Sequence, residues 1–137
     1  MSILYTGGTF DLFHVGHVNF LRQCKLLASE VVVALNSDDF VFRFKNQEPI
    51  MPYDDRKRIL EGCRYVSRVV PNIGGEDSKP TIIQVVPNII AIGDDWVGKD
   101  YYKQMGFTQD WLDQHGIVLV YIPYTKGISS TELRERL

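Results

Sequence analysis

The sequence predicts an α/β fold in which helices cover both faces of a parallel β-sheet. Short runs of β-branched and other apolar residues alternate with longer stretches whose apolar residues recur every three or four positions, which is the pattern of βαβ units. The run at 31–35 is apolar throughout, as in a strand buried on both faces of a sheet. The 137 residues, 45% of them hydrophobic, suffice for one compact core, so we expect one domain spanning 1–137.

The first half of the chain shows this alternation clearly. After a glycine-rich segment, Phe20, Leu21, Cys24 and Leu27 recur at helical spacing. The segment 41–52 has no steady period and contains two prolines, so we expect a mobile loop able to fold over a ligand. The predicted elements are strands at 2–5, 31–35 and 65–70 and helices at 15–28 and 54–63.

The second half continues the pattern. Pro80 suits the first turn of a helix, and Pro87 follows that helix at the turn into the next strand. Gly116 ends another helix. The predicted elements are helices at 80–86, 108–115 and 129–137 and strands at 89–92 and 117–122.

Charge and composition argue against several classes of protein. The 15 basic and 17 acidic residues give a net charge of -2 without any block of like charge, so we expect no nucleic-acid binding. No apolar run reaches the roughly 18 residues that cross a bilayer, and residues 1–4 do not resemble the start of a signal peptide. We therefore expect no membrane partner and a cytoplasmic location. Cys24 and Cys63 lie in apolar helical patterns and are expected to be core residues.

A glycine-rich segment directly follows the first predicted strand. Gly7 and Gly8 let backbone N–H groups approach an anion without a Cβ in the way. His14 and His17 lie three residues apart at a helix start, so both rings lie on one side of the helix and can donate to phosphate oxygens. Gly16 between them allows a close approach of a ligand or of neighbouring backbone. These residues predict a phosphate-binding site.

The histidine pair has two other interpretations. It can be a capping feature of the helix start, or half of a metal site, since H-x-x-H spacing can bring two ligands together. No thiol and no third histidine lies nearby in sequence. We therefore predict no metal ion held by protein side chains.

A second cluster of hydroxyl groups precedes the last predicted helix. Residues 127–132 read Gly-Ile-Ser-Ser-Thr-Glu, and Ser129 and Glu132 have capping-box spacing. An ordinary capped helix carries the same residues. Their position after the last predicted strand nevertheless favours a second anion site.

Polar or glycine-rich residues follow three of the predicted strands, at 36–39, 74–75 and 93–96. In an open parallel sheet, ligands bind beyond the carboxyl ends of the strands, where the strand order reverses. The sequence therefore places the functional site at this edge of the sheet.

The segments Gly8-Thr9-Phe10-Asp11 and His14-Val15-Gly16-His17 together resemble the signature of the HxGH nucleotidyltransferases. This resemblance implies a single-domain, Rossmann-like, doubly wound parallel sheet. Four further segments narrow it to the cytidylyltransferases, and the length and order are most similar to those of the bacterial glycerol-3-phosphate cytidylyltransferases. The four are Arg43 with Lys45, Asp55-Arg56-Lys57, Gly93-Asp94-Asp95-Trp96, and residues 124–131.

The resemblance also implies roles for individual residues. His14, His17 and Lys45 are expected to be catalytic, with the histidines at the reacting phosphate and Lys45 on the triphosphate. The expected nucleotide-binding residues are Gly8, Thr9, Phe10, Gly16, Asp94, Trp96, Tyr124, Thr125, Gly127, Ile128, Ser129, Ser130 and Thr131. The expected acceptor-binding residues are Asp11, Arg43, Arg56 and Lys79, and the alternative for Asp11 is that it orients the glycine loop.

The family's reaction implies the partners of this chain. They are CTP, a small phosphorylated alcohol such as glycerol 3-phosphate, and Mg²⁺ that is bound mainly through the triphosphate. Residues 64–66 resemble the segment that forms the family's dimer interface, which implies a homodimer.

Tyr124 departs from the family pattern, which usually has arginine at this position. A neutral hydroxyl replaces a bidentate cation there, and Lys126 or Arg56 are candidates to supply the charge. Two rival functions therefore stay open. One is an adenylyltransferase of the same superfamily that uses ATP, and the other is a nucleotide-binding module with weak or no turnover.

Overall fold

Five strands form one parallel sheet in the computed structural model, which describes residues 2–94, 101–123 and 125–137. They are β1 (Ile3–Gly8), β2 (Glu30–Leu35), β3 (Arg68–Pro71), β4 (Ile89–Gly93) and β5 (Val118–Ile122). Their order across the sheet is β3-β2-β1-β4-β5, and every pair of neighbours is parallel. From β1 the chain passes through β2 to β3 at one edge of the sheet. It then returns to β4, beside β1, and continues to β5 at the other edge. The predicted doubly wound sheet is confirmed.

Helices connect these strands on both faces of the sheet. They are α1 (Val15–Leu27), α2 (Asp38–Lys45), α3 (Tyr53–Glu61), α4 (Lys79–Val85), α5 (Tyr101–Met105), α6 (Gln109–Gln114) and α7 (Ser130–Arg136). The helices α1, α3, α4, α6 and α7 were predicted, with ends that differ by a few residues. In the described part of the chain, no helix combines the length and the apolar character that a bilayer crossing requires.

The alternation of side chains along β2 divides the core into two layers. Val31 and Val33 pack in one cluster with Leu21 of α1 and Leu60 of α3. Val32 lies in the cluster on the opposite face, which also contains side chains of α4 and α6. Because neighbouring residues of a strand point to opposite faces, a continuous apolar run supplies both layers. Cys24 is fully buried in the α1 layer and has no disulfide partner, as predicted.

The segment 41–52, which we predict to be a loop, is helical over its first part. Helix α2 begins after Ser37, whose Oγ accepts the Phe40 N–H at 3.1 Å, and it ends at Asn46 in the left-handed conformation. Phe40 and Val41 are buried against the body of the protein. An eight-residue helix is too short to show a helical period in the sequence. Its cap and its two buried side chains therefore decide that the segment is helical. The prediction of a loop over 41–45 is therefore wrong.

Arg56 of α3 is fully buried and joins four separate segments of the chain. Its Nε donates to the Met51 carbonyl, and its Nη1 donates to the carbonyls of Thr9 and Asn36, over 2.8–3.0 Å. Its Nη2 lies 2.6 Å from an Asp38 carboxylate oxygen. These bonds give Arg56 a structural role. Arg56 does not line the cavity described below, so its predicted contact with the acceptor would require the side chain to leave these partners.

Replacing Arg56 by methionine is expected to lower the free energy of unfolding by about 3 kcal/mol, because three carbonyls and one carboxylate lose their donor. Urea-induced unfolding measures the change. Arg58 lies exposed on the same helix, and Arg58→Met should stay within about 0.5 kcal/mol of the unchanged protein. Equal losses in the two variants would contradict the structural role of Arg56.

Candidate active site

A cavity of about 480 Å³ opens at the carboxyl ends of the strands, where the winding reverses between β1 and β4. Its lining comes from the loop after β1, the start of α1, the end of α2, the segment 72–78 and the residues before α7. Elements distant in sequence meet here because parallel strands present their carboxyl ends at the same edge. The cavity lies at the edge of the sheet that we predicted from the polar residues after the strands.

The loop after β1 has an unusual backbone conformation that depends on tight packing around it. Phe10 and Leu12 have φ angles of 52° and 50°, in the left-handed region that such residues rarely adopt. A Cβ added at Gly8 would lie 2.8 Å from the Phe10 ring, so glycine is required for this packing. Gly8, Thr9 and Phe10 all line the cavity.

His14 and His17 cap the start of α1 with their Nδ1 atoms. The Nδ1 of His14 accepts the Gly16 N–H at 3.0 Å, and the Nδ1 of His17 accepts the His14 N–H at 3.1 Å. An Nδ1 that accepts a hydrogen bond carries no proton, so a neutral ring must carry its proton on Nε2. Both rings line the cavity. Capping thus selects the tautomer in which each histidine can donate from Nε2.

The His17 ring lies in an aromatic environment that keeps it neutral. It stacks on Phe13 with the ring centroids 5.3 Å apart, and on His14 at 3.8 Å. Burial lowers the pKa of His17 to about 3, the charge of His14 adds to this lowering, and Asp11 opposes it. Burial also lowers the pKa of His14. Two uncharged imidazoles therefore face the cavity at neutral pH.

Gly16 is required by the position of the His14 ring. A Cβ at this residue would lie 2.8–2.9 Å from Cε1 and Nδ1 of His14. A larger residue would therefore displace the ring that accepts the Gly16 N–H. The sequence predicted a close approach of a ligand or of neighbouring backbone at Gly16, whereas the approaching group in the structure is the His14 side chain.

Asp11 holds the glycine loop against two other segments. Its carboxylate accepts the N–H groups of Ile50 and Met51 at 2.7 and 2.9 Å, and Arg134 of α7 lies 3.5 Å away. Its backbone carbonyl accepts the hydroxyl of Ser130 at 2.6 Å. These contacts match the alternative in which Asp11 orients the loop. Asp11 also lines the cavity, so its contact with the acceptor stays a prediction beside this positioning role.

The segment before α7 contributes a row of side chains to the cavity. The Ser129 Oγ accepts the Glu132 N–H at 3.0 Å, which confirms the predicted helix cap. Lys45 also reaches the cavity, from the end of α2. The lining residues of this segment and of the first turn of α7 are Thr125, Ile128, Ser129, Ser130 and Thr131. Gly127 and Asp94 are described but do not line the cavity, whereas Trp96 and Tyr124 lie outside the described residues.

The two other predicted cations are engaged by carboxylates of the chain itself. Arg43 lies 2.7 Å from Glu76, and Lys79 lies 3.0 Å from Asp77 and also donates to the Gly106 carbonyl. Neither Arg43 nor Lys79 lines the cavity. Their predicted contacts with an acceptor would require these side chains to leave their present partners.

Several lining residues had no signal of their own in the sequence. They are Asn72, Glu76, Gln104 and Met105, together with Phe44 of α2. Asn36 belongs to the polar group predicted to face the site, and it does line the cavity. Asn72 and Glu76 lie in loops, Phe44 lies on α2, and Gln104 and Met105 lie on α5. In none of these segments does the sequence show a periodicity that predicts which side chains face the cavity.

Comparison with known proteins agrees with this geometry. Residues 5–136 match the family model described as cytidylyltransferase-like. The chain belongs to the cytidylyltransferase-like family. This membership confirms the predicted enzyme class.

Individual relatives extend the comparison over the whole chain. The chain is 37% identical to the glycerol-3-phosphate cytidylyltransferase of Bacillus subtilis, over 100% of this chain and 98% of that protein. It is also 37% identical to the FAD synthase of Thermococcus kodakarensis, over 86% of this chain and 77% of that protein. A crystal structure of a lipopolysaccharide core biosynthesis protein from Thermoplasma volcanium is similar with a TM-score of 0.73 and 27% identity, over 93% and 99% of the two chains.

Acid should destabilise the protein through His17. Its folded-state pKa of about 3 lies below the ordinary value of 6.5, so unfolding takes up a proton between these values. The resulting stability is present above pH 6.5 and falls by about 1.4 kcal/mol per pH unit below it. Urea unfolding of the protein and of His17→Gln at several pH values between 6.5 and 4 should show a shallower decline in the variant. His115→Gln is the control, and identical slopes for the protein and His17→Gln would refute the low pKa.

Proposed function

We propose that this protein transfers CMP from CTP to a small phosphorylated alcohol, with glycerol 3-phosphate as the first candidate, and releases pyrophosphate. The observation that carries the proposal is the pair of imidazoles whose Nδ1 atoms are engaged and whose Nε2 atoms can donate at a phosphate-binding loop. Full-length similarity to a glycerol-3-phosphate cytidylyltransferase supports the choice of CTP and of the acceptor.

The chemistry requires positioned donors more than a strong base. An oxygen of the acceptor's phosphate attacks the α-phosphorus, the bond to the bridging oxygen of the β-phosphate breaks, and that oxygen leaves with pyrophosphate. Negative charge grows on the α-phosphoryl and leaving oxygens during this step. Donors fixed before the reaction stabilise this charge without reorganisation. His14 and His17 supply such donors, and no proton leaves the protein.

Other residues of the cavity would hold the substrates. In this proposal Lys45 neutralises the triphosphate, and the hydroxyls of Ser129 and Thr131 bind its β- and γ-phosphates. Arg43 and Lys79 would reach the acceptor phosphate only after release from Glu76 and Asp77. The anionic substrate itself competes for these cations.

Mg²⁺ belongs to the proposal as a partner of the triphosphate. Across residues 2–94, 101–123 and 125–137, three His, Cys, Asp or Glu side chains nowhere gather into a possible metal site. An ion that keeps several waters and is held mainly by substrate phosphates needs no such cluster. The residues present therefore fit an ion that arrives with CTP and neutralises its charge.

We also propose a homodimer through residues 64–66. Tyr65 and Val66 are only partly buried within their own chain, and both pack against the α1 layer of the core. The Arg64 guanidinium lies 5.6 Å from the Tyr65 ring centroid. An aromatic residue beside an arginine is a composition frequent in interfaces.

Replacing His17 by alanine tests the catalytic role. Turnover with CTP and glycerol 3-phosphate should fall about 100- to 1,000-fold, as for the loss of one positioned donor. Pyrophosphate release measures turnover, and circular dichroism checks that the variant folds. His115→Ala, at the exposed end of α6, is the matched control and should keep turnover within about threefold. A His17→Ala variant as active as the control would rule out the proposed donors.

Adenylyl transfer is the second candidate, because the relative named FAD synthase is 37% identical over 86% of this chain. The relative named glycerol-3-phosphate cytidylyltransferase has the same identity over the whole chain. In the proposed mechanism the histidine loop contacts phosphates and does not read the base, so the same loop would serve both reactions. The cytidylyl reaction is preferred because its named relative matches the entire chain.

A pyrophosphate-release assay distinguishes the two candidates. We expect release with CTP and glycerol 3-phosphate, and none above background with ATP and a phosphorylated flavin. The reverse pattern would replace the cytidylyl proposal by the adenylyl one. Tight CTP binding without release for any phosphorylated alcohol would instead support a nucleotide-binding module.

A further inference from the structure

The last helix, α7, has no apolar anchor of its own. The structure describes all of its residues, and none of them is buried. Neither core cluster includes an α7 side chain among the described residues. Three hydroxyl residues at the start of this helix nevertheless line the cavity, and we name them the hydroxyl row: Ser129, Ser130 and Thr131. Polar contacts therefore hold the hydroxyl row at the cavity.

Arg134 of α7 makes two of these polar contacts. Its Nη2 donates to the Glu48 carbonyl at 2.8 Å, and its Nη1 lies 3.5 Å from an Asp11 carboxylate oxygen. Ser130 makes a third, because its hydroxyl donates to the Asp11 carbonyl at 2.6 Å. A guanidinium presents several donors in one plane, so one side chain can hold two partners in a fixed geometry. Arg134 thus connects α7 to the loop after β1 and to the segment 46–52 between α2 and α3.

The segment 46–52 directly follows Lys45, the last residue of α2. The Asp11 carboxylate accepts two backbone N–H groups of this segment. The Arg134 guanidinium contacts both the segment and this carboxylate. It therefore joins the part of the chain that places Lys45 to the part that places the hydroxyl row, and its hydrogen bond to the segment spans 86 residues of sequence.

Arg134 does not line the cavity itself, whereas Lys45 and the hydroxyl row do. It can therefore act on a ligand in the cavity only by positioning other groups. In the proposed function, Lys45 and two hydroxyls of the row bind the same triphosphate from different parts of the chain. Groups that are already held in the binding geometry lose less conformational entropy when the ligand binds, so a connection between them raises the affinity.

We propose that Arg134 is a positioning residue for the triphosphate, because it couples α7 to the segment 46–52 and so holds the hydroxyl row and Lys45 in one geometry. The inference rests on the proposed function, since it concerns the triphosphate of that reaction, but it does not depend on the base. A nucleoside triphosphate extends to both groups, whereas a monophosphate lacks the β- and γ-phosphates that they bind. Arg134 therefore favours the triphosphate over the monophosphate of the same nucleoside.

Isothermal titration calorimetry with CTP and with CMP, in the presence of Mg²⁺, tests this coupling in the unchanged protein and in Arg134→Met. Methionine fills much of the same space but donates no hydrogen bond. The variant should bind CTP about tenfold more weakly, because the triphosphate-binding groups are no longer held together, and CMP within about twofold of the unchanged protein. Retained CMP binding also shows that the site is folded. Unchanged CTP binding, or equal losses for CTP and CMP, would overturn the proposal.

Arg136→Met is the matched control. It makes the same substitution at an exposed position of the same helix, and it removes the same charge. It should bind CTP within about twofold of the unchanged protein. A loss as large as that of Arg134→Met would show that charge alone, rather than the contacts of Arg134, determines the affinity, and the coupling would be refuted.

Titrations with ATP and AMP separate this inference from the proposed function. If ATP binds in place of CTP and Arg134→Met weakens it about tenfold, the proposed use of CTP is refuted and the coupling is supported. If neither triphosphate binds to the unchanged protein, both proposals fail. If CTP shows the expected effect but no phosphorylated alcohol stimulates pyrophosphate release, the transfer reaction alone is refuted.

Discussion

The guanidinium of Arg56 is the interaction on which the geometry of the cavity depends. It is fully buried, and it donates at once to the loop after β1, the end of β2, the start of α2 and the segment before α3. Each of these segments presents a carbonyl or carboxylate oxygen to the guanidinium. Without Arg56 these oxygens would lie close together without a donor. A planar cation with five donors is suited to satisfy them together. Asp11 complements it by accepting the N–H groups of the same segment before α3.

The two histidines show how one set of hydrogen bonds can serve both folding and chemistry. Capping the helix satisfies N–H groups that have no partner within the helix. The same bonds determine the tautomer, and the aromatic neighbours of His17 keep its pKa low. Neutral donors can lie 3.8 Å apart between ring centroids, whereas two imidazolium cations at that distance would repel. A geometry that stabilises the helix start thus also leaves the Nε2 atoms of two cavity-lining rings able to donate.

Most cations near the cavity are paired with carboxylates of the chain. Arg43, Lys79 and Arg134 lie beside Glu76, Asp77 and Asp11, respectively. Pairing reduces the repulsion among these cations in the absence of substrate. It also means that an anionic ligand must displace carboxylates before it gains the cations.

The sequence by itself determined the alternation of strands and helices, the buried central strand and the glycine-rich loop with its histidines. These features depend on periodicity and on residues close together in the chain, where local sterics and hydrogen bonds decide the structure. The tertiary structure decided that residues 38–45 form a helix, because their helical state depends on burial of Phe40 and Val41. It also decided that Arg56 and Asp11 bind other segments of the chain, and that Asn36, Asn72 and Glu76 line one cavity. The sequence does not show whether the hydrogen-bond partners of a polar side chain belong to the protein or to a substrate. Partners within the protein lie tens of residues away in the chain.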